Sequence, residues 1–156
     1  MAVEIERKFL VNPELWDNLT KPDGLECIQT YLLKDDYRTV RVRVLGDKGF
    51  ITFKGKTVGF SKPEFEYQVP VNEAKEMIQL FGETTITKTR YLFPQGKHTW
   101  EVDVFYGDNE GLIVAEIELS SEDETFSLPE WIAEEVTGDY KYSNSNIQGH
   151  PFKNWK

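Results

Sequence analysis

Polar and apolar residues alternate along most of this chain with a period of two, in short runs separated by Gly, Pro, Asp and Asn. That period puts successive side chains on opposite faces, so the runs predict strands rather than helices. They cover residues 3–11, 27–33, 39–45, 50–56, 65–69, 85–93, 99–106 and 112–119, eight strands in all. Gly46-Asp47-Lys48-Gly49 and Gly107-Asp108-Asn109-Glu110-Gly111 tolerate positive φ, so each is expected to close an antiparallel hairpin. Three stretches leave the pattern. Residues 72–81 have the apolar spacing of a short amphipathic helix, with Asn72 the expected N-cap and Gly82 following it. Residues 128–136, with Pro129 near the start, are expected to form a second helix, and residues 13–19 a short third one. Ser120-Ser121-Glu122-Asp123-Glu124 reads as a solvated turn.

The polar positions within the strands are unusual in kind. The first strand sets Glu4, Glu6 and Lys8 against Val3, Ile5 and Phe9; the third sets Arg41 and Arg43 against Val40, Val42 and Val44; the fourth sets Thr52 and Lys54 against Ile51 and Phe53. Glu64 and Glu66 follow, then Lys88 and Arg90, Glu101 and Asp103, and Glu116 and Glu118. A solvated face usually mixes Lys, Glu, Ser, Thr and Gln loosely, whereas these charges recur at every second residue and are largely of one sign per strand. Period alone does not say which face is inside, and an ordinary barrel or sandwich would leave the charges in water. With the charges inward, eight acids would stand beside six bases, an arrangement too costly to bury unless water, metal and ligand pair with them.

Composition narrows the chemistry. The 156 residues are enough for one domain with a real core, read here as 1–156, and too few for two. A net charge of −9 argues against holding duplex DNA by an overall field. One cysteine, Cys27, and two histidines, His98 and His150, exclude a disulfide framework and a thiolate zinc site. Oxygen-only acidic clusters suit a hard cation such as Mg²⁺ or Mn²⁺, which binds a few carboxylates and shares a substrate's phosphate oxygens. Guanidinium groups at Arg41, Arg43 and Arg90 can fork onto the remaining phosphate oxygens, so the set fits a metal-bridged polyphosphate. Ser61, Cys27 and the histidines lack a triad context. Trp16, Trp100, Trp131 and Trp155 read as outer packing, and Tyr31 and Tyr142 as either core or ligand contacts. The N-terminus is charged from residue 4 onward, without the layout of a secretory signal, so a cytoplasmic location is expected.

Glu4-Ile5-Glu6-Arg7-Lys8 resembles the ExExK signature of the CYTH superfamily, the triphosphate tunnel metalloenzymes. Arg41-Val-Arg43, Lys54, Glu64-Phe-Glu66, Lys88-Thr-Arg90, Trp100-Glu-Val-Asp103 and Glu116-Ile-Glu118 follow in order, so the likeness spans nearly the whole chain. It implies an α+β, mainly β fold, an eight-stranded antiparallel closed barrel forming a tunnel with the charges inside and a few short helices packed outside. By the same likeness Glu4, Glu6, Lys8 and Lys88 would be catalytic, and Lys8, Arg41, Arg43, Lys54, Lys88 and Arg90 would hold the phosphates. Metal would fall to Glu4, Glu6, Glu64, Glu66, Glu101, Asp103, Glu116 and Glu118, with two Mg²⁺ or Mn²⁺ ions in the catalytic complex. Lys62 and Lys141 stand where relatives carry arginine, keeping charge but losing the bidentate fork. The activity expected is metal-dependent hydrolysis of inorganic triphosphate to pyrophosphate and phosphate. Alternatives are a thiamine triphosphatase, a nucleoside-triphosphate enzyme including an adenylate cyclase, a non-catalytic polyphosphate-binding barrel, and a carrier of an apolar ligand with its aliphatic face inward. The expected partner is a small polyphosphate, with neither duplex DNA nor membrane, and a homodimer stays open.

Overall fold

The alternating runs form strands that close on themselves. The computed structural model describes residues 3–155. Its strands are β1 (Val3–Val11), β2 (Leu25–Lys34), β3 (Thr39–Leu45), β4 (Lys48–Lys54), β5 (Ser61–Val69), β6 (Ile86–Gln95), β7 (His98–Phe105), β8 (Ile113–Glu118) and β9 (Ile132–Glu135). Every pairing is antiparallel, in the order β5-β4-β3-β2-β6-β7-β8-β1, and β1 returns to β5 through Val3 opposite Pro63 and Ile5 opposite Ser61. Eight strands therefore close the barrel, as the resemblance implies. The β3–β4 hairpin turns on Gly46 and Asp47, with Gly46 at φ +60°, a conformation a side chain would strain.

The ninth strand corrects the helix expected over 128–136. Past Ile5 the described residues of β5 no longer reach β1, which leaves the backbone groups of its second half exposed on that edge. Strand β9 supplies the partners, with Phe9 opposite Glu135 and Val11 opposite Ile132, and Val136 N–H donates to the Lys8 carbonyl at 2.8 Å. Satisfying a strand edge outweighs the local helical pattern. Helices α1 (Pro13–Asp17), α2 (Val71–Phe81) and α3 (Asn144–Gly149) are short. Asn72 is not the N-cap of α2: Ala74 N–H already bonds the Pro70 carbonyl, so the helix begins at Val71 with Pro70 in the capping position. Gly82 does end it, because a Cβ there would meet the Ile78 carbonyl at 2.6 Å and Thr30 at 2.9 Å.

The apolar core lies mostly outside the barrel wall. Trp16 of α1, Phe9, Trp100, Val102, Ala115, Ile117 and Trp131 form one cluster, and α2 lays Ala74 and Ile78 on Val42 and Val44 to form another. Trp155 instead packs on Tyr142 and Phe152 near the C-terminus. A third cluster, Ile86, Phe105, Leu112, Val114 and Ile147 of α3, closes one end of the barrel interior. The acidic turn after β8 is tied down as well as solvated: Glu122 accepts from Phe60 N–H at 2.7 Å, and Glu124 from Ser120 N–H. Among the described residues, no helix is long and apolar enough to cross a membrane.

Candidate active site

With the apolar residues packed outside, the charged set of each strand points into the barrel. Arg41, Arg43 and Arg90 are each 6 % exposed and Lys88 1 %, which decides the face that alternation left open. A cavity of about 130 Å³ lies among them, and every lining side chain is polar: Glu4, Glu6, Arg41, Arg43, Lys54, Glu64, Glu66, Arg90, Glu101, Glu116, Glu118 and Asn144.

Strand order sorts these charges into walls. On adjacent β1, β8 and β7, Glu6 stands opposite Glu118, Glu116 opposite Glu101, and Lys8 opposite Glu116. On adjacent β4, β3, β2 and β6 stand Lys54, Arg41, Arg43, Lys88 and Arg90. Where the walls meet, ions pair. Arg90 makes a fork on Asp103, Nε to Oδ1 at 2.8 Å and Nη2 to Oδ2 at 3.0 Å, and reaches Glu101 at 3.1 Å. Lys54 Nζ lies 2.9 Å from Glu4 and 3.4 Å from Glu64, and Lys8 Nζ 3.6 Å from Glu116. Arg41 and Arg43 share Glu66 at 3.6 and 3.7 Å, and Thr52 donates to the same carboxylate at 2.9 Å.

The pairing is incomplete on both sides. Among the described residues, Glu6 and Glu118 have no ion-pair partner within 4.0 Å. Burial and then the charges of Glu116 and Glu4 push the Glu6 carboxyl well up. Glu116 differs: burial and Asp103 oppose its ionisation, but Lys8 and a hydrogen bond from Glu6 prevail, holding it at about 2. Asp103 is held well below the usual carboxylate range because Arg90 and Lys88 overcome its burial. On the basic side, Arg41 Nε and Arg43 Nε are buried and make no hydrogen bond, whereas Lys88 Nζ is buried in an ion pair with Asp103 at 2.8 Å.

The carboxylates fit a divalent cation by donor chemistry, being hard oxygens, and by charge, since two of them lack a base. No three of them converge as a ready cluster among the described residues, because most are turned toward the bases. Lys62 sits opposite Glu4 and lines a side opening of about 260 Å³ that reaches Glu6 and Lys8. Lys141 is not in the lumen lining; its ammonium lies over the Tyr142 and Trp155 rings. Tyr31 stands opposite Arg41, on the lumen face.

Three residues near the charges were not legible as site residues. Thr52 appears only as a neutral partner in its strand, yet it bridges Arg41 and Glu66. Gln29 has the strand parity of Tyr31, a signal that could have found it. Asn144 comes from α3, which enters the barrel end after a long excursion, and nothing local marks it.

A closed antiparallel barrel whose interior joins a wall of carboxylates to a wall of guanidinium and ammonium groups is the tunnel architecture that the sequence resemblance implies. The family model for the CYTH domain matches residues 2–148, and the chain belongs to that family. It is 47 % identical over 157 aligned residues to an inorganic triphosphatase of Acetivibrio thermocellus, covering 100 % of this chain and 99 % of that protein. An inorganic triphosphatase of Nitrosomonas europaea is 37 % identical over 153 aligned residues, covering 92 % of this chain and 95 % of that one. Among solved structures, that of the inorganic triphosphatase NE1496 superposes with a TM-score of 0.62 at 32 % identity, over 95 % of each chain.

Proposed function

We propose that this protein hydrolyses inorganic triphosphate to pyrophosphate and phosphate, with a divalent cation, Mg²⁺ or Mn²⁺, bound by the carboxylate wall. The observation that carries the reading is the pair of buried Nε donors on Arg41 and Arg43 that make no hydrogen bond, on side chains that line a polar cavity. Unpaired buried donors are expensive, and a chain of phosphates supplies acceptors to all of them. The two curated relatives, both inorganic triphosphatases, point the same way.

Each wall has its part. Arg41, Arg43, Lys54, Lys88, Arg90 and Lys8 hold and orient the phosphates, the guanidinium groups by forked contacts and the ammonium groups as point charges. Glu6, Glu116, Glu118 and Glu4 are the principal cation ligands, with Glu64, Glu66 and Glu101 at the boundary. Asp103 has both oxygens on Arg90 and Lys88, so its part is to aim them. Held by these carboxylates, divalent cations would supply charge neutralisation on the phosphates and Lewis acidity toward water, and two ions would suit the carboxylate count. Lys8 and Lys88, beside the phosphates, stabilise the charge that develops as the bridging oxygen leaves, while Glu4 and Glu6 orient the attacking side. The proposed location is the cytoplasm.

Because the cations are distributed over four strands, grip comes from the length of the phosphate chain rather than from a group at its end. Inorganic triphosphate is expected to have a higher kcat/KM than ATP, and pyrophosphate a much lower one, in steady-state phosphate release at equal Mg²⁺. A preference for ATP, or a cyclic nucleotide as product, would move the assignment to nucleotide chemistry.

A further inference from the structure

Gln29 is a polar side chain that the roles above leave unused. It sits in the middle of β2, with Arg43 opposite on β3 and Ile86 opposite on β6, and is 0 % exposed. Its Oε1 accepts from the Cys27 thiol at 3.6 Å, while its Nε2 makes no hydrogen bond at all. An apolar side chain of the same shape would fill the space without stranding a donor, so nothing in the folding of the barrel calls for an amide there.

The neighbours say what the amide could meet. Cys27 and Tyr31, the residues two before and two after it on the same face, stand opposite Lys88 and Arg41 respectively. Gln29 thus lies between Arg41, Arg43 and Lys88, and the unbonded Nε atoms of Arg41 and Arg43 share its strand neighbourhood. Three donors without an acceptor, on Gln29, Arg41 and Arg43, call for a ligand that presents several acceptor oxygens close together. Ile86, opposite it on β6, belongs to the apolar cluster that closes the barrel end, so Gln29 borders that apolar closure on its β6 side while Tyr31 continues the lumen face beyond it. A fourth cation in that place would be repelled: Arg43, already buried, is pushed down by the charges of Arg41 and Arg90. A neutral amide donates without adding charge.

We propose that Gln29 is a substrate-binding residue whose Nε2 donates to a non-bridging phosphoryl oxygen held by Arg41 and Arg43, with the Cys27 thiol holding the amide so that its NH₂ faces inward. The inference rests on the triphosphatase reading above.

The test is Gln29→Met, close in shape and without a donor, measured with diimidotriphosphate, the analogue with nitrogen bridges, and Mg²⁺ in calorimetry, together with steady-state kinetics on inorganic triphosphate. Binding of the analogue is expected to weaken about 10- to 100-fold, and KM to rise by the same factor with kcat within about twofold. The unliganded melting temperature is expected to stay level or rise, a result that a structural role would not give. Gln29→Glu, which puts an anion beside the phosphates, is expected to abolish binding. Cys27→Val should bind more weakly than wild type, and Cys27→Ser should recover part of that loss by restoring a donor to Oε1. Binding by Gln29→Met within twofold of wild type, or a melting temperature lowered by more than about 5 °C, overturns the assignment of Gln29 alone. If wild type does not bind the analogue, the triphosphatase reading falls with it.

Discussion

The acidic and basic walls of the lumen fail to satisfy themselves in opposite ways. On β1, β8 and β7 the strain is repulsion: Glu6 faces Glu118, Glu116 faces Glu101, and burial among like charges pushes Glu6, Glu4 and Glu101 up. On β3 and β2 it is desolvation: Arg41, Arg43 and Gln29 bury donors that bond nothing. Ion pairs form along the seam, as at Arg90 and Asp103, but they leave Glu6 without a base and Arg41 Nε without an acceptor. Each wall lacks what one half of a metal–polyphosphate complex would supply, so neither is explained by folding alone.

Removing the cation should break the comparison most severely. Exhaustive EDTA treatment is expected to abolish phosphate release, since the acidic wall would then face the substrate with its charge uncompensated. Glu116→Gln with Glu118→Gln should lower turnover by about 100-fold or more in the same assay. Full activity in either case would take the carboxylates out of the mechanism.

The reverse face of the basic wall gives the next largest effect. Val42 lies between Arg41 and Arg43 in sequence but is 0 % exposed under α2. Val42→Asp would bury an unpaired charge at about 3–5 kcal/mol, enough to lower the melting temperature by roughly 10 °C. Arg41→Ala is expected to leave the melting temperature within a few degrees of wild type and to raise KM for triphosphate about 10- to 100-fold. The opposite pattern in thermal melts and kinetics would exchange inside for outside.

A carboxylate outside the lumen sharpens the contrast by titrating the other way. Glu124 accepts from Ser120 N–H and contacts His98 and Lys97, which hold it at about 2 against an ordinary value of 4.5. A lowered folded value stabilises above the ordinary pKa, and that contribution is lost as pH falls from about 4.5 toward 2. Over that range the melting temperature of wild type should fall slightly more steeply than that of Glu124→Gln.

Much of the molecule was legible in one dimension because strand alternation is a local rule. The eight barrel strands, the hairpin at Gly46-Asp47 and the helix ending at Gly82 all follow from residue type and spacing within a few positions. So does the candidate charged set, since charges at every second residue must share a face. The ends of elements were less secure: β5 begins at Ser61, ahead of its expected start, because β1 pairs with it there.

What the sequence determined by itself, then, is a set of two-faced strands with charge on one side and aliphatic residues on the other. Which side became the inside was a tertiary decision, reached because α1, α2 and the segment around Trp131 cover the aliphatic faces from without. Tertiary structure also turned residues 132–135 into a strand, since the open edge of β1 lies more than a hundred residues away in the chain. It assembled the two walls from strands distant in sequence, and it left Gln29 with an unbonded amide. Hydrogen-bond satisfaction and burial depend on neighbours in space, and only the closed barrel supplies them.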